Sequence, residues 1–246
     1  MSLFDNPQVA ARIRRLRKRT ANSLERLAAA TMPRPTPAEL RHKVGGAWEE
    51  IGRLQFDFLV SEGLKPDHAF LDVGCGVLRG GLHFVRYLDP GGYYGIDVNP
   101  DMIEGATHEL EAAGLASRGA HLRATETFDI DFGHPFDYGL ALSVFTHLPL
   151  NSIYRCLANI AEHFTAGGCF FATYFPGPDG PERFVPITHA SNDGHFTVTT
   201  YGDANHYHYS FEDFRLLCDR LPLRVENIGD WSHPRGQHML RFTRSA

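Results

Sequence analysis

The 246-residue chain has four cysteines, Cys75, Cys156, Cys169 and Cys218, and none stands in a C-x-x-C spacing. No short-range pairing suggests a disulfide framework or a zinc site, so a reducing, cytoplasmic setting is expected. No apolar run approaches the ~18 residues of a membrane span, and the basic start of the chain lacks an apolar stretch or a small-residue cleavage site. Neither a secreted nor an integral protein is expected. Internal repeats and low-complexity tracts are also missing. Positive charge is scarce outside the head: residues 1–43 hold 10 Lys/Arg against 3 acids, a net +7, while the remainder carries −12 of the total −5. An acidic body excludes broad electrostatic binding of DNA or RNA, whose phosphates need a basic face.

What is present is globular: 43% of residues are hydrophobic and 12% aromatic, which excludes disorder, collagen and coiled coil as the main architecture. From Pro7 to about Ala30, Val9, Ile13, Leu16, Leu24 and Leu27 recur at helical spacing, and six of the eight residues 12–19 are basic. This predicts a basic amphipathic helix whose residues 9–27 suit an anionic membrane surface, such as the inner membrane face, or an acidic partner. Pro33, Pro35 and Pro37 then favour an extended linker. The expected organisation is an appendage over 1–37 and one domain over 38–246. Thr36-Pro37-Ala38-Glu39 reads as a helix start. Gly45-Gly46 divides it from a second helix, Trp48 to about Glu62, with Ile51, Leu54, Gln55, Phe58 and Leu59 on one face; the 38–66 segment forms a cap.

After Pro66, short apolar runs alternate with helical stretches, the pattern of crossover units around a largely parallel sheet. Strands are expected near 69–73, 93–97, 120–124, 136–142, 168–175, 223–229 and 237–243. Helices are expected over 79–88, 100–113, 150–164 and 210–220. Segment 176–209 has no crossover helix, and a stretch of that length is expected to be functional or hairpin-like.

The chemistry concentrates in Phe70-Leu71-Asp72-Val73-Gly74-Cys75-Gly76-Val77-Leu78-Arg79-Gly80-Gly81, a buried strand running through an acid into a glycine turn. Gly74 and Gly76 let backbone approach a ligand closely, and the helix that follows offers free N–H groups. The dinucleotide fingerprint G-x-G-x-x-G fails at Arg79, which disfavours a nicotinamide-dependent oxidoreductase. Asp72 would repel a pyrophosphate but attract an ammonium or sulfonium cation. The next strand ends in Asp97, 21 residues after Gly76, where a carboxylate can accept both hydrogen bonds of a ribose diol. A cationic amino-acid end and a ribose together describe S-adenosylmethionine. Cys75, between the glycines, and Val98, after the ribose acid, are counted with this site.

In these motifs the sequence resembles the class I S-adenosylmethionine-dependent methyltransferases, from about Ala69 to Phe242. Asp72, Gly74, Gly76 and Asp97 match the family's first two motifs, Phe136 to Leu148 resembles its fourth-strand motif, and Leu157 to Phe171 its following helix and strand, with Gly167-Gly168 starting the strand. The resemblance implies an α/β, Rossmann-like sheet of seven mostly parallel strands with the last reversed and helices on both faces. The ligand would lie across the carboxyl ends of strands one, two and four. Leu78 stands where the family has a third glycine, so a different turn is expected, with Gly80-Gly81 making the close approach. Among Thr125, Glu126, Thr127 and Phe128, the adenine contacts assigned are Glu126 and Phe128; Ser143 is placed beneath the methionine portion.

For the acceptor, His147 after the fourth strand is the candidate general base, because neutral imidazole accepts a proton near pH 7. Tyr174, Tyr207, His208 and Trp231 are the candidate pocket residues, with the Trp231–Arg235 turn completing the wall and Trp48 and Gln55 closing over the cofactor. His206 and His208 are one residue apart but have no convincing third ligand, so no metal is expected. N/D-P-P-Y/F is missing after the fourth strand, which disfavours exocyclic base nitrogens as acceptors, and G-x-S-x-G is absent, so Ser143 is no nucleophile. The expected activity is O-methylation of a small molecule or of a sugar or glycolipid; the alternative is an inactive cofactor-binding regulatory or scaffold protein.

Overall fold

The computed structural model describes residues 35–190 and 196–246, so the basic 9–27 segment and its proposed membrane contact lie outside the described residues. The boundary between the chain's two compact units falls between Thr36 and Pro37. Two short helices come first, α1 (Pro37–Lys43) and α2 (Trp48–Ser61), separated by a loop in which Gly45, Gly46 and Ala47 all have positive φ. The alternation then runs β1 (Phe70–Val73), α3 (Gly81–Tyr87), β2 (Tyr93–Asp97), α4 (Pro100–Ala112), β3 (His121–Ala124), β4 (Phe136–Ala141), α5 (Leu150–His163) and β5 (Phe164–Pro176). β6 (Ile187–Ala190), β7 (Thr197–Thr200) and β8 (His208–Tyr209) fill the insertion, before α6 (Phe211–Cys218), β9 (Leu223–Asp230) and β10 (His238–Arg244).

Seven strands form the main path in the order β3-β2-β1-β4-β5-β10-β9, with β8 added beside β5. The first five on that path are parallel, and β10 enters antiparallel between β5 and β9. Alternate residues of each strand feed opposite faces. Leu71, Val73, Phe170, Ala172, Leu240 and Phe242 pack with α5 and α6, whereas Phe70, Phe171 and Met239 pack with α2, α3 and α4. α1 is fastened to α4 by a two-pronged ion pair, Arg41 Nε and Nη2 to the buried Glu109 carboxylate at 2.6 Å each.

One expectation is revised, and the hairpin reading of the insertion holds. β5 begins at Phe164 rather than at Gly167-Gly168, because β4 and β5 pair from Phe136 and Phe164 and absorb an irregularity before resuming register at Tyr138 and Cys169. The insertion contains an antiparallel hairpin, β6 with β7, and its returning strand lies parallel to the end of β5. Tyr207 N donates to Thr146 O and the Tyr209 hydroxyl to Leu148 O, which fastens the insertion to the loop after β4.

Candidate functional site

β1 is flanked by β2 on one side and β4 on the other, so the direction of winding reverses there and a crevice opens at the carboxyl ends of the strands. A cavity of about 820 Å³ occupies it. Asp72, Gly74, Cys75, Gly76, Asp97, Val98, Glu126, Phe128 and Ser143 all line it, as does His147; Thr125 does too.

Asp72 is buried at the end of β1, where the Tyr93 hydroxyl donates to its Oδ2 at 2.7 Å. Burial pushes the carboxyl up to about 7, the Asp97 charge adds to the rise, and the Tyr93 hydroxyl and Arg79 oppose it. Among the described residues it has no ion pair, so the wall presents an acid lacking its counter-charge. A cationic ligand there favours the ionised form. Cofactor affinity is therefore expected to climb as pH rises to about 7 and to level off above, with up to tenfold weakening per pH unit below. Isothermal titration in buffers of different ionisation enthalpy would detect the matching proton release on binding at pH 6; binding that neither weakens nor releases protons there contradicts it.

Asp97 ends β2. Its Oδ2 accepts from Gly76 N at 3.0 Å and its Oδ1 from Asn99 N at 2.8 Å, while Gly74 N and Cys75 N donate to Ile96 O. Burial raises its carboxyl above the usual range despite these backbone donors. The glycine loop is thereby tied to the acid. Gly74 has φ +72°, and a Cβ there would stand 2.4 Å from Val144 Cγ2. Gly74→Ala is expected to destabilise the ligand-free protein by about 2–4 kcal/mol, combining left-handed strain with overpacking; a thermal midpoint equal to that of the parent would refute it.

Leu78 does not turn the loop differently. Its φ is +66°, the glycine-like conformation, and its side chain is fully buried, so packing of the isobutyl group offsets the backbone strain. Gly80 and Gly81 approach protein rather than open space: a Cβ on Gly80 would strike the Gln55 amide, and one on Gly81 would lie 2.6 Å from Leu78 Cδ2 and the Tyr93 hydroxyl.

The cap closes over this loop by its connection together with Lys43 of α1 and Gln55 of α2. Lys43, Val44 and Gly45 line the cavity, and Val44 Cγ1 lies 2.9 Å from where a Gly76 Cβ would be. Arg79 Nη1 donates to Val44 O at 2.7 Å and Gly46 O at 3.1 Å, and the Arg235 guanidinium donates to Gly45 O. Burial and the neighbouring Arg235 charge pull the Arg79 pKa down to about 10. Gln55 lines the cavity, but Trp48 faces away, 4.7 Å beneath Arg41.

Ser143 has φ +56°; its Oγ donates to Gln237 Oε1 at 3.0 Å, and its N donates to Thr173 Oγ1 at 2.7 Å. Thr173 Oγ1 donates to the same Gln237 oxygen at 2.7 Å. Gln237 and Thr173 were not singled out in the sequence, since the register of β10 against β5 assembles this network.

His147 lies at the cavity mouth in a short 3₁₀ turn, Phe145–His147. Its Nδ1 is 2.9 Å from Asn205 Oδ1, which assigns the proton to Nδ1 and leaves the Nε2 lone pair free. Although the ring is accessible, desolvation by the protein around it lowers its pKa, with the Asn205 bond opposing and His206 reinforcing the change. The His206 ring lies 4.6 Å away.

The four expected pocket residues do not reach the cavity. Tyr174 is buried edge-on to Phe214, with its hydroxyl 3.5 Å from Asn227. Tyr207 stacks on Tyr209 against the core. His208 is buried between the Thr200 hydroxyl and Arg183 O, at 2.9 and 2.7 Å. Trp231 packs on Phe58 and donates to Gln237 O at 3.1 Å. Aromatic composition marked these positions, but burial in the core satisfies the same composition. In their place the cavity is lined by Leu148, Ser152, Arg155, Phe196, Val198 and His206.

Residues 71–170, which span both acids, the glycine turn and His147, match the family model of a methyltransferase domain. That span carries a methyltransferase domain. Solved methyltransferases of similar fold include magnesium protoporphyrin IX methyltransferase from Synechocystis PCC 6803 with bound SAM, 16% identical with TM-score 0.55 over 80% of this chain and 81% of that one. SAM-bound CalS10, an amino pentose methyltransferase from Micromonospora echinaspora, is 18% identical with TM-score 0.58 over 87% and 99%. DesVI from Streptomyces venezuelae is 18% identical with TM-score 0.58 over 86% and 99%. The methyltransferase domain shares their fold.

Proposed function

We propose that this methyltransferase binds S-adenosylmethionine across β1, β2 and β4 and transfers its methyl group to an oxygen of a small-molecule or sugar acceptor. The observation that carries this reading is the opening of Asp72 and Asp97, on adjacent parallel strands, into one cavity whose mouth holds His147. The residues fit the cofactor in two ways: Asp72 is a buried acid in need of a cation, and the close approach of Val44 at Gly76 shapes a cradle that a side chain would fill. Relatives of this fold solved with bound SAM, among them an amino pentose methyltransferase, support it.

When bound, S-adenosylmethionine supplies an activated methyl carbon. In this scheme Asp72 neutralises the amino-acid end, Asp97 holds the ribose, and Glu126 and Phe128 flank the adenine. The Val44–Gly46 connection, held by Arg79 and Arg235, excludes water. His147 Nε2 takes the proton of the acceptor hydroxyl while Asn205 holds the ring. The oxygen preference rests on this neutral, oriented imidazole. A cytoplasmic place of action is supported by the four cysteines, all free, and among the described residues no helix is long and apolar enough to cross a membrane. Calorimetry with S-adenosylmethionine, followed by mass spectrometry of an extract for a gain of about 14 daltons per product, tests the reading. Binding without any methylated product would favour a regulatory or scaffold role, and absence of binding would remove both.

A further inference from the structure

The cavity's acids lie on one side, where Lys43 and Arg79 also line it. Its described lining contains three carboxylates, Asp72, Asp97 and Glu126, and all three sit at the ends of β1, β2 and β3, on the side assigned to the cofactor. The opposite side, from the 3₁₀ turn through the first turns of α5 to β7 and the insertion, presents His147, Ser152, Arg155 and His206 against an apolar wall of Phe196 and Val198. No described lining residue there is acidic.

Arg155 is the notable member. Among the described residues, Arg41, Arg53, Arg123, Arg183, Arg215, Arg224 and Arg241 each pair with an aspartate or glutamate, and Arg79, Arg118, Arg235 and Arg244 donate to backbone carbonyls; of the remaining Arg86, Arg155 and Arg220, only Arg155 lines this cavity. Arg155 has no ion pair among the described residues, and it stands three residues after Ser152 on the same face of α5, the face turned to the cavity. Arg235, the other arginine near this wall, is already engaged, stacked 4.4 Å from the Phe196 ring and bonded to Gly45 O. A guanidinium without a carboxylate, beside a hydroxyl and two imidazoles at a cavity mouth, matches an oxyanion bound through paired N–H donors.

We infer that the acceptor is an anion, and that Arg155 holds its carboxylate or phosphate group so that its hydroxyl meets His147. The inference rests on the methyltransferase reading above and names the substrate class for it. The one-sided placement of the acids serves turnover as well. The anionic group is attracted to the basic wall and repelled by the three acids, so the acceptor enters with its charged end away from the cofactor side. Arg155 is a substrate-binding residue in this account, and its loss acts on acceptor KM before it acts on cofactor binding.

The test uses the full chain, methyl-labelled S-adenosylmethionine and a cell extract, with the products separated on an anion exchanger at pH 8. Label is expected in the retained fraction. Loss of retention after phosphatase treatment identifies a phosphate, and unchanged retention a carboxylate. Arg155→Ala is expected to cut labelling about 10- to 100-fold at limiting acceptor, as removal of a charge-assisted bond does, with Arg155→Lys recovering part of the loss. Its affinity for S-adenosylmethionine stays within about twofold of the parent's, the usual reach of a substitution outside that site. Label emerging only in the unretained, neutral or cationic fraction overturns the inference, as does wild-type labelling by Arg155→Ala. Failure of the underlying reading is distinct: no cofactor binding by calorimetry, or no label in any fraction, removes both.

Discussion

Asp72→Asn is expected to weaken S-adenosylmethionine binding by about 100-fold or more, the scale of removing a buried counter-charge, while making the ligand-free protein more stable. The two effects have one origin. The carboxyl of Asp72 is raised to about 7 mainly by burial, so in the folded state it holds its proton more tightly than in the unfolded chain. The stability this contributes is complete below about pH 4, falls as pH rises toward 7, and is gone above that, where the ionised group is buried at a cost. At about 1.4 kcal/mol for each tenfold in proton affinity, the cost at pH 7.5 is a few kcal/mol. Asparagine carries no charge, and its amide oxygen still accepts from the Tyr93 hydroxyl. The thermal midpoint of Asp72→Asn should thus exceed that of the parent at pH 7.5 and match it near pH 4, while calorimetry shows the lost affinity. Equal midpoints at both pH values, or undiminished binding, would show that Asp72 does not face the cation.

His147→Ala is expected to lower kcat by about 100-fold or more, within the range of general-base catalysis, with cofactor affinity unchanged. The parent's rate should stay flat around pH 7 and fall below pH 6.5, because the surrounding protein lowers the imidazole pKa from that value. Asn205→Ala frees the ring to turn and to change tautomer, so a smaller loss of about tenfold is expected, in line with loss of one orienting hydrogen bond. Single-turnover measurements with the acceptor recovered from extract separate these effects from binding. A parent-like rate for His147→Ala would mean that the acceptor needs no base or finds another, with His206, one ring away, as the nearest candidate.

That Asp72, the glycine turn and Asp97 share one cavity was legible because its determinants are local. Asp72, the glycine turn and Asp97 lie within 26 residues, on two strands that pair directly, Asp72 opposite Gly95 and Val73 opposite Ile96. Parallel pairing with a short crossover brings both strand ends to one edge, whatever the distant chain does. Leu78 shows the limit of motif reading even here: the residue departs from the pattern, yet the backbone keeps the turn.

The opposite side of the cavity depended on contacts far apart in the chain. The sequence alone determined the sheet, its crossovers and the two acids, since apolar periodicity and strand-end chemistry act over neighbouring residues. Which aromatics face the cavity was decided only by the register of β10 on β5 and by the fold-back of the insertion onto the β4 loop. Those contacts buried Tyr174, His208 and Trp231 and brought Asn205, His206 and Phe196 to the mouth. The physical reason is that an aromatic or imidazole ring is equally at home in a core and in a pocket. Only the side it presents after long-range pairing separates one from the other.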